Sequence, residues 1–136
     1  MVVIDDVTTP DNIHPVNKKP VGKRLADLVL KKHYKTIDNL VESPQLKNIL
    51  FKRKRCEVYF NYSKGLYIKG DNSLFEIAGE NKIFYFAKSK IKKDYIILTS
   101  KKVKTPKYVR FAWKNTAQSN VFNDANLPVS IFTTEH

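Results

Sequence analysis

The chain has a single cysteine, Cys56, in 136 residues, so it can form neither an internal disulfide nor a cysteine-built zinc cluster. It also lacks any apolar run near the roughly 20 residues that a membrane span needs. The opening Met1-Val2-Val3-Ile4-Asp5-Asp6 has no basic stretch and no long apolar stretch of the kind that marks a secretory signal. It reads instead as a buried strand entered abruptly, as if continuing from polypeptide upstream. No internal repeat or low-complexity tract is visible, and the compartment stays undetermined. Negative charge is scarce: 13 acidic residues face 25 lysines and arginines, for a net charge of +12. That excess raises nucleic acid as a partner, since Lys52-Arg53-Lys54-Arg55, Lys90 to Lys93 and Lys101 to Lys104 form basic clusters beside aromatics. No nucleic-acid motif accompanies them, however. Charge alone supplies only the nonspecific part of such binding, and solvated sheet faces and turns account for the pattern.

What is present has a globular balance, with 42% hydrophobic and 28% charged residues. Val2-Val3-Ile4 suits a strand buried on both faces of a parallel sheet. A polar stretch from Asp5 to Pro15 leaves its C-terminal end, where open α/β sheets place their sites. Asn17 can cap the helix that follows, and Pro20 is tolerable in its first turn. Val21, Leu25, Leu28 and Val29 form one apolar stripe, and the helix is expected to end near His33-Tyr34. Asp38 to Pro44 reads as a linker. Beyond it the period becomes alternating. Cys56, Val58, Phe60 and Tyr62 share one strand face, opposed by Glu57, Tyr59 and Asn61. Further strands are expected at 66–69, 74–78, 82–87, 95–99 and 108–113, with Gly79-Glu80-Asn81 as a hairpin turn. Short strands at this spacing predict an antiparallel β-sandwich.

The chemistry concentrates in Asp11-Asn12-Ile13-His14. A histidine three residues after an aspartate on one loop lets the carboxylate hold one ring nitrogen while the other faces a reacting group. That is the acid and base pairing of a hydrolytic triad, yet no recognisable nucleophile motif accompanies it. Gly70-Asp71-Asn72-Ser73 imitates one, but it lies between two strand segments and has the composition of a turn, so Ser73 is not assigned as the nucleophile.

Two separated segments carry a family resemblance. Val2 to Asp6, Asp11 to Lys18 and Val21-Gly22-Lys23-Arg24-Leu25-Ala26 resemble the closing block of sialate O-acetylesterases, in the SGNH hydrolase superfamily, and of the acetylxylan-esterase-like proteins that share it. Val109-Arg110-Phe111-Ala112-Trp113, Asn120 to Asn123 and Leu127 to Thr133 are similar to the same family's C-terminal signature. Phe60-Asn61, Gly65-Leu66 and Phe75 to Gly79 fit the stretch between. Departures are Val121 for leucine, Asn126 for glycine, Thr133 for arginine and an altered ending at Thr134-Glu135-His136. The resemblance implies an upstream α/β hydrolase domain that carries the serine and oxyanion hole, with Asp11 as orienting acid and His14 as general base here. It implies no cofactor or metal, an O-acetylated carbohydrate as substrate of the full protein, and a family that is often periplasmic or extracellular.

The expected fold class is therefore α+β, mainly β. Residues 1–36 would be the last strand, catalytic loop and final helix of the hydrolase domain, 37–44 a linker, and 45–136 an accessory β-sandwich domain. Without the serine the chain by itself should be inactive, and its uncovered apolar stripe should promote self-association. The alternative is a noncatalytic carbohydrate-binding or scaffolding module. Among the remaining candidates, His33 is expected to be structural and His136 to be solvent-exposed. Trp113 alternates with Val109 and Phe111 and should enter the sheet core rather than stack on a sugar. Arg110 and Lys114, on the other face, should be solvated.

Overall fold

The computed structural model describes residues 1–9, 14, 16–71 and 73–135. Helix α1 spans Lys19–Val29. Pro20 sits in its first turn, where a missing N–H leaves no bond unmade. The Lys19 amide donates to Asn17 Oδ1 at 3.2 Å, so the expected Asn17 contact exists, one residue before the cap position at Lys18. A π-helical turn, Leu30–Tyr34, carries the coil on to Lys35, which ends it in the left-handed conformation at φ 54. The end falls where the sequence put it.

Among the described residues, the strands that follow are all paired antiparallel. Strands β1 (Gln45–Lys52), β2 (Arg55–Asn61), β7 (Tyr95–Thr99) and β6 (Lys88–Lys92) form one four-stranded sheet in that order. A second has the order β10 (Phe132–Thr133), β8 (Tyr108–Phe111), β4 (Phe75–Ala78) and β5 (Tyr85–Phe86). Two short strands, β3 (Tyr67–Ile68) and β9 (Val121–Phe122), pair separately. One hydrophobic cluster takes Cys56, Val58, Ile96 and Leu98 from the first sheet and Phe75, Ile77, Val109 and Phe111 from the second. The molecule is thus mainly β with one helix and antiparallel sheets.

The alternation read at 56–60 is realised, with Cys56, Val58 and Phe60 buried. The turn at Gly79-Glu80-Asn81 closes by a Lys82 N–H to Gly79 O bond of 3.1 Å, and β4 pairs with β5 across it. Three expectations change. Residues 2–4 form no strand: Val3 is buried, but its carbonyl accepts from Arg24 rather than from a sheet ladder. Strands β1 and β6 arise in stretches whose lysines hid them. In β6, exposed Lys88, Lys90 and Lys92 alternate with half-buried Ser89 and Ile91. Trp113 does not enter the core. Ala112 takes φ 49, which breaks the alternation after Phe111 and turns the indole outward, 48% exposed.

The first basic cluster also has an internal partner. Lys52 Nζ holds both oxygens of buried Glu57 at 2.8 and 2.9 Å, and Arg55 approaches the same carboxylate at 3.2 Å. The Lys52 bond, against the opposing effect of burial, keeps the Glu57 carboxyl below its ordinary range. Cys56, the preceding residue of β2, is fully buried, and burial with the Glu57 charge pushes its thiol up to about 12.

Candidate active site

His14 is exposed, between Asp6 and α1 along the chain. Asp11, its expected partner, lies outside the described residues, as do Asn12, Ile13 and Pro15. What the structure defines is how this loop is held at both ends. On the incoming side, Asp6 accepts a two-pronged ion pair from Arg24 of α1: Nη1 to Oδ1 at 2.6 Å and Nη2 to Oδ2 at 2.7 Å. The same Nη1 donates to the Val3 carbonyl at 2.8 Å. Both side chains are largely withdrawn from solvent. Burial works against the guanidinium charge, but the Asp6 hydrogen bonds outweigh it and the Arg24 pKa is raised.

Next to this pair, Asp5 has no such counter-ion. Both its carboxylate oxygens are buried and make no hydrogen bond. Burial, with the neighbouring Asp6 charge adding to it, pushes its pKa to about 6, and the nearby backbone amides of Ser119 and Asp6 offset only part. Asp5 borders an open cleft of about 760 Å³ between the first nine residues and the loop after β8, where Trp113, Lys114 and Gln118 form the facing wall. Gln118 Nε2 donates to the Thr8 carbonyl and ties the two walls together.

Helix α1 and the turn after it are held by charged side chains, to the first residues of the chain and to the 37–44 stretch. Arg24, Asp27 and Lys31 recur at helical spacing. Lys31 Nζ reaches Glu42 at 2.9 Å and the Asn39 carbonyl at 3.0 Å. Burial opposes ionisation of Glu42, but Lys31 and the Val41 amide more than offset it, so its pKa is lowered. The stretch read as a linker is packed at its end, with Val41, Glu42, Ser43 and Pro44 all buried. Meanwhile Leu25 and Val29, half of the apolar stripe, are 50% and 48% exposed.

Asn123, from the C-terminal signature, is fully buried and joins three segments. Its Nδ2 donates to the Glu42 and Tyr62 carbonyls at 2.9 and 3.1 Å, and its Oδ1 accepts from the Leu127 and Ala125 amides at 3.1 and 3.2 Å. Asn126, standing where the resembled family has glycine, adopts φ 57, a region asparagine tolerates better than other side chains. Its Oδ1 also accepts from Tyr67 OH at 2.7 Å. Thr133 pairs with Arg110 across β10 and β8.

The other sequence candidates resolve individually. Ser73 is buried and its hydroxyl bonds to Ser89, and the turn before it includes Gly70 at φ 90. His33 is exposed and packs edge-on against Tyr34 at 4.9 Å. His136 lies outside the described residues. Arg110 and Lys114 are more engaged than solvation implied: Arg110 bonds Glu76 at 2.8 Å and covers Phe84, and Lys114 lies over Phe86. Among the described residues no cluster of histidine, cysteine, aspartate and glutamate could hold a metal ion, and no helix is long and apolar enough to cross a membrane. The Asp6–Arg24 bond was missed by sequence reasoning. Both residues fall in the segments that carry the resemblance, but nothing in their spacing says that they meet.

No family model matches the chain, and no curated protein matches it. Among solved structures it is similar to a carbohydrate acetylesterase from Xanthomonas citri, with 32% identity and a TM-score of 0.91, over 98% of this chain and 32% of that one. The chain spans about a third of that protein's length. It is therefore similar, over nearly its whole extent, to one part of a carbohydrate acetylesterase.

Proposed function

We propose that this chain is the C-terminal part of an SGNH-type carbohydrate O-acetylesterase of the sialate O-acetylesterase kind, supplying the acid and base of a serine triad. The observation that carries the proposal is the likeness to the Xanthomonas citri enzyme over 98% of this chain and a third of that one. The order of the resembling segments in the sequence supports it. In this reading residues 1–36 complete the hydrolase domain, 37–44 connect, and 45–136 form an accessory domain whose two sheets pack as a sandwich.

His14 takes the proton from a serine hydroxyl as that oxygen attacks the acetyl carbonyl, and then gives it to the departing sugar hydroxyl. Water repeats the cycle and releases acetate. Asp11 holds the imidazole in the required tautomer. The serine belongs to upstream polypeptide, so the chain alone is inactive: triads that lose their nucleophile forfeit on the order of 10⁶ in turnover. The exposed Leu25 and Val29 fit a helix whose apolar face is meant for that upstream domain, or for a second copy of the chain when it is absent.

The test is hydrolysis of p-nitrophenyl acetate by the full-length polypeptide. His14→Ala should abolish turnover, and full activity in that variant would remove the assignment. A second reading, a noncatalytic carbohydrate-binding module, is favoured by one observation, the half-exposed Trp113 at an open cleft. Saturable binding of an acetylated oligosaccharide by the intact chain, lost in Trp113→Ala, would support it.

A further inference from the structure

We infer that Arg24 and Asp6 act together as positioning residues for His14, an inference that rests on the reading of His14 as the general base. His14 lies between Asp6 and α1 along the chain, and α1 begins five residues before Arg24. Arg24 joins the two flanks of that segment: its two nitrogens grip both Asp6 oxygens at 2.6 and 2.7 Å, and Nη1 also takes the Val3 carbonyl at 2.8 Å. One guanidinium therefore fixes the chain entering the loop to the helix that receives it.

The pair has features that separate it from an ordinary surface ion pair. Both partners are mostly removed from solvent, which reduces the screening that makes exposed pairs weak. The contact is two-pronged, so it fixes orientation as well as distance. The helix has no buried residue of its own, so this bond and the Lys31–Glu42 pair substitute for the apolar packing that usually orients a helix. Of these two, the Arg24 bond is the one that reaches the chain before His14. Arg24 hydrogen-bonds Asp6 and not the preceding carboxylate, Asp5.

A general base works only within hydrogen-bond reach of the proton it removes, and misplacement by about 1 Å can cost on the order of 100-fold. Releasing the base of the loop should thus lower turnover and leave the sugar-binding walls intact. In the full-length polypeptide acting on p-nitrophenyl acetate, Arg24→Ala and Asp6→Ala should each reduce kcat by about 10- to 100-fold, with KM changed less than about twofold. The double variant should be no slower than Arg24→Ala, which already removes the Asp6 bond together with the Val3 contact. Arg24→Lys, which keeps the charge but loses the fork, should fall between wild type and Arg24→Ala, and it serves as the milder variant if the alanine form does not fold. An unchanged kcat in Arg24→Ala and Arg24→Lys, with His14→Ala inactive, would overturn the positioning role and leave the esterase reading standing. Additive losses in the double variant, or a rise in KM without a fall in kcat, would also overturn it. Full activity in His14→Ala would remove both.

Discussion

The β unit and the N-terminal arm, residues 1–36, are held by different physics. In the β unit, Phe75, Ile77, Ile96, Leu98, Val109 and Phe111 are completely buried, and the apolar cluster runs through both four-stranded sheets. The arm buries only Val3 among its described residues, and its helix is fastened by Arg24 to Asp6 and by Lys31 to Glu42. One region rests on area removed from water, the other on a few charged bonds. A region of the second kind is expected to open locally at low free-energy cost, and His14 lies in it. That placement suits a loop completed by a neighbouring domain.

Substitutions should separate the two regimes. The largest effect is expected at Asn123, where alanine would strand two carbonyls and two amides in the interior; a loss of about 4 kcal/mol by urea denaturation is expected. A loss under about 1 kcal/mol would mean that Asn123 is not the tie between the linker end and the C-terminal signature. Gly65 comes next. It adopts φ 64, and an added Cβ would lie 2.6 Å from Asp124 Cβ, so Gly65→Ala should cost about 2–3 kcal/mol. The contrast is Gly22, in the helix with nothing within 4 Å, where alanine should stabilise the arm by about 0.5–1 kcal/mol. If both glycines responded alike, the division drawn here would be wrong.

Asp5 gives a smaller effect with a defined pH window. Its folded pKa, about 6, exceeds the ordinary 3.8, so the folded chain keeps a proton that the unfolded chain releases. Stability therefore falls as pH rises from about 4 to 6, and the penalty is complete above that. Asp5→Asn should gain about 1–2 kcal/mol at pH 8, allowing for partial solvent screening, and the gain should vanish near pH 3. A gain independent of pH would exclude burial of this carboxylate as its source. Smallest of all, Leu25→Glu with Val29→Glu should leave the unfolding midpoint nearly unchanged, because both side chains are half exposed. Light scattering of the wild-type chain should show concentration-dependent association that this double variant removes.

Legibility in the sequence followed the same division. Periodicity located α1 and its end, β2, β7, β8 and the β4–β5 hairpin, because each has a strong helical or alternating pattern of its own. It missed β6, where exposed lysines alternate with half-buried Ser89 and Ile91, and β1, where Leu46, Leu50 and Phe51 are exposed and only Gln45 and Ile49 are half-buried. Turn chemistry was harder to see than usual. With four glycines in the chain, several reversals fall on lysines, and Lys54, Lys82 and Lys93 all adopt positive φ, a conformation no residue-type rule assigns to lysine. At the candidate site, His14 could be picked out from its local spacing and flanking sequence, whereas the bond between Asp6 and Arg24 spans 18 residues and has no local signature.

The sequence by itself determined where α1, β2, β7, β8 and the β4–β5 hairpin lie and marked His14 as the candidate base, since those depend on neighbours a few residues apart. The tertiary structure decided that α1 leaves Leu25 and Val29, half of its apolar stripe, exposed, that Ala112 turns Trp113 out of the core, and that of two adjacent aspartates one is ion-paired while the other is held towards its neutral form. Each of these depends on groups brought together from distant parts of the chain, where burial and partner geometry outweigh local preference.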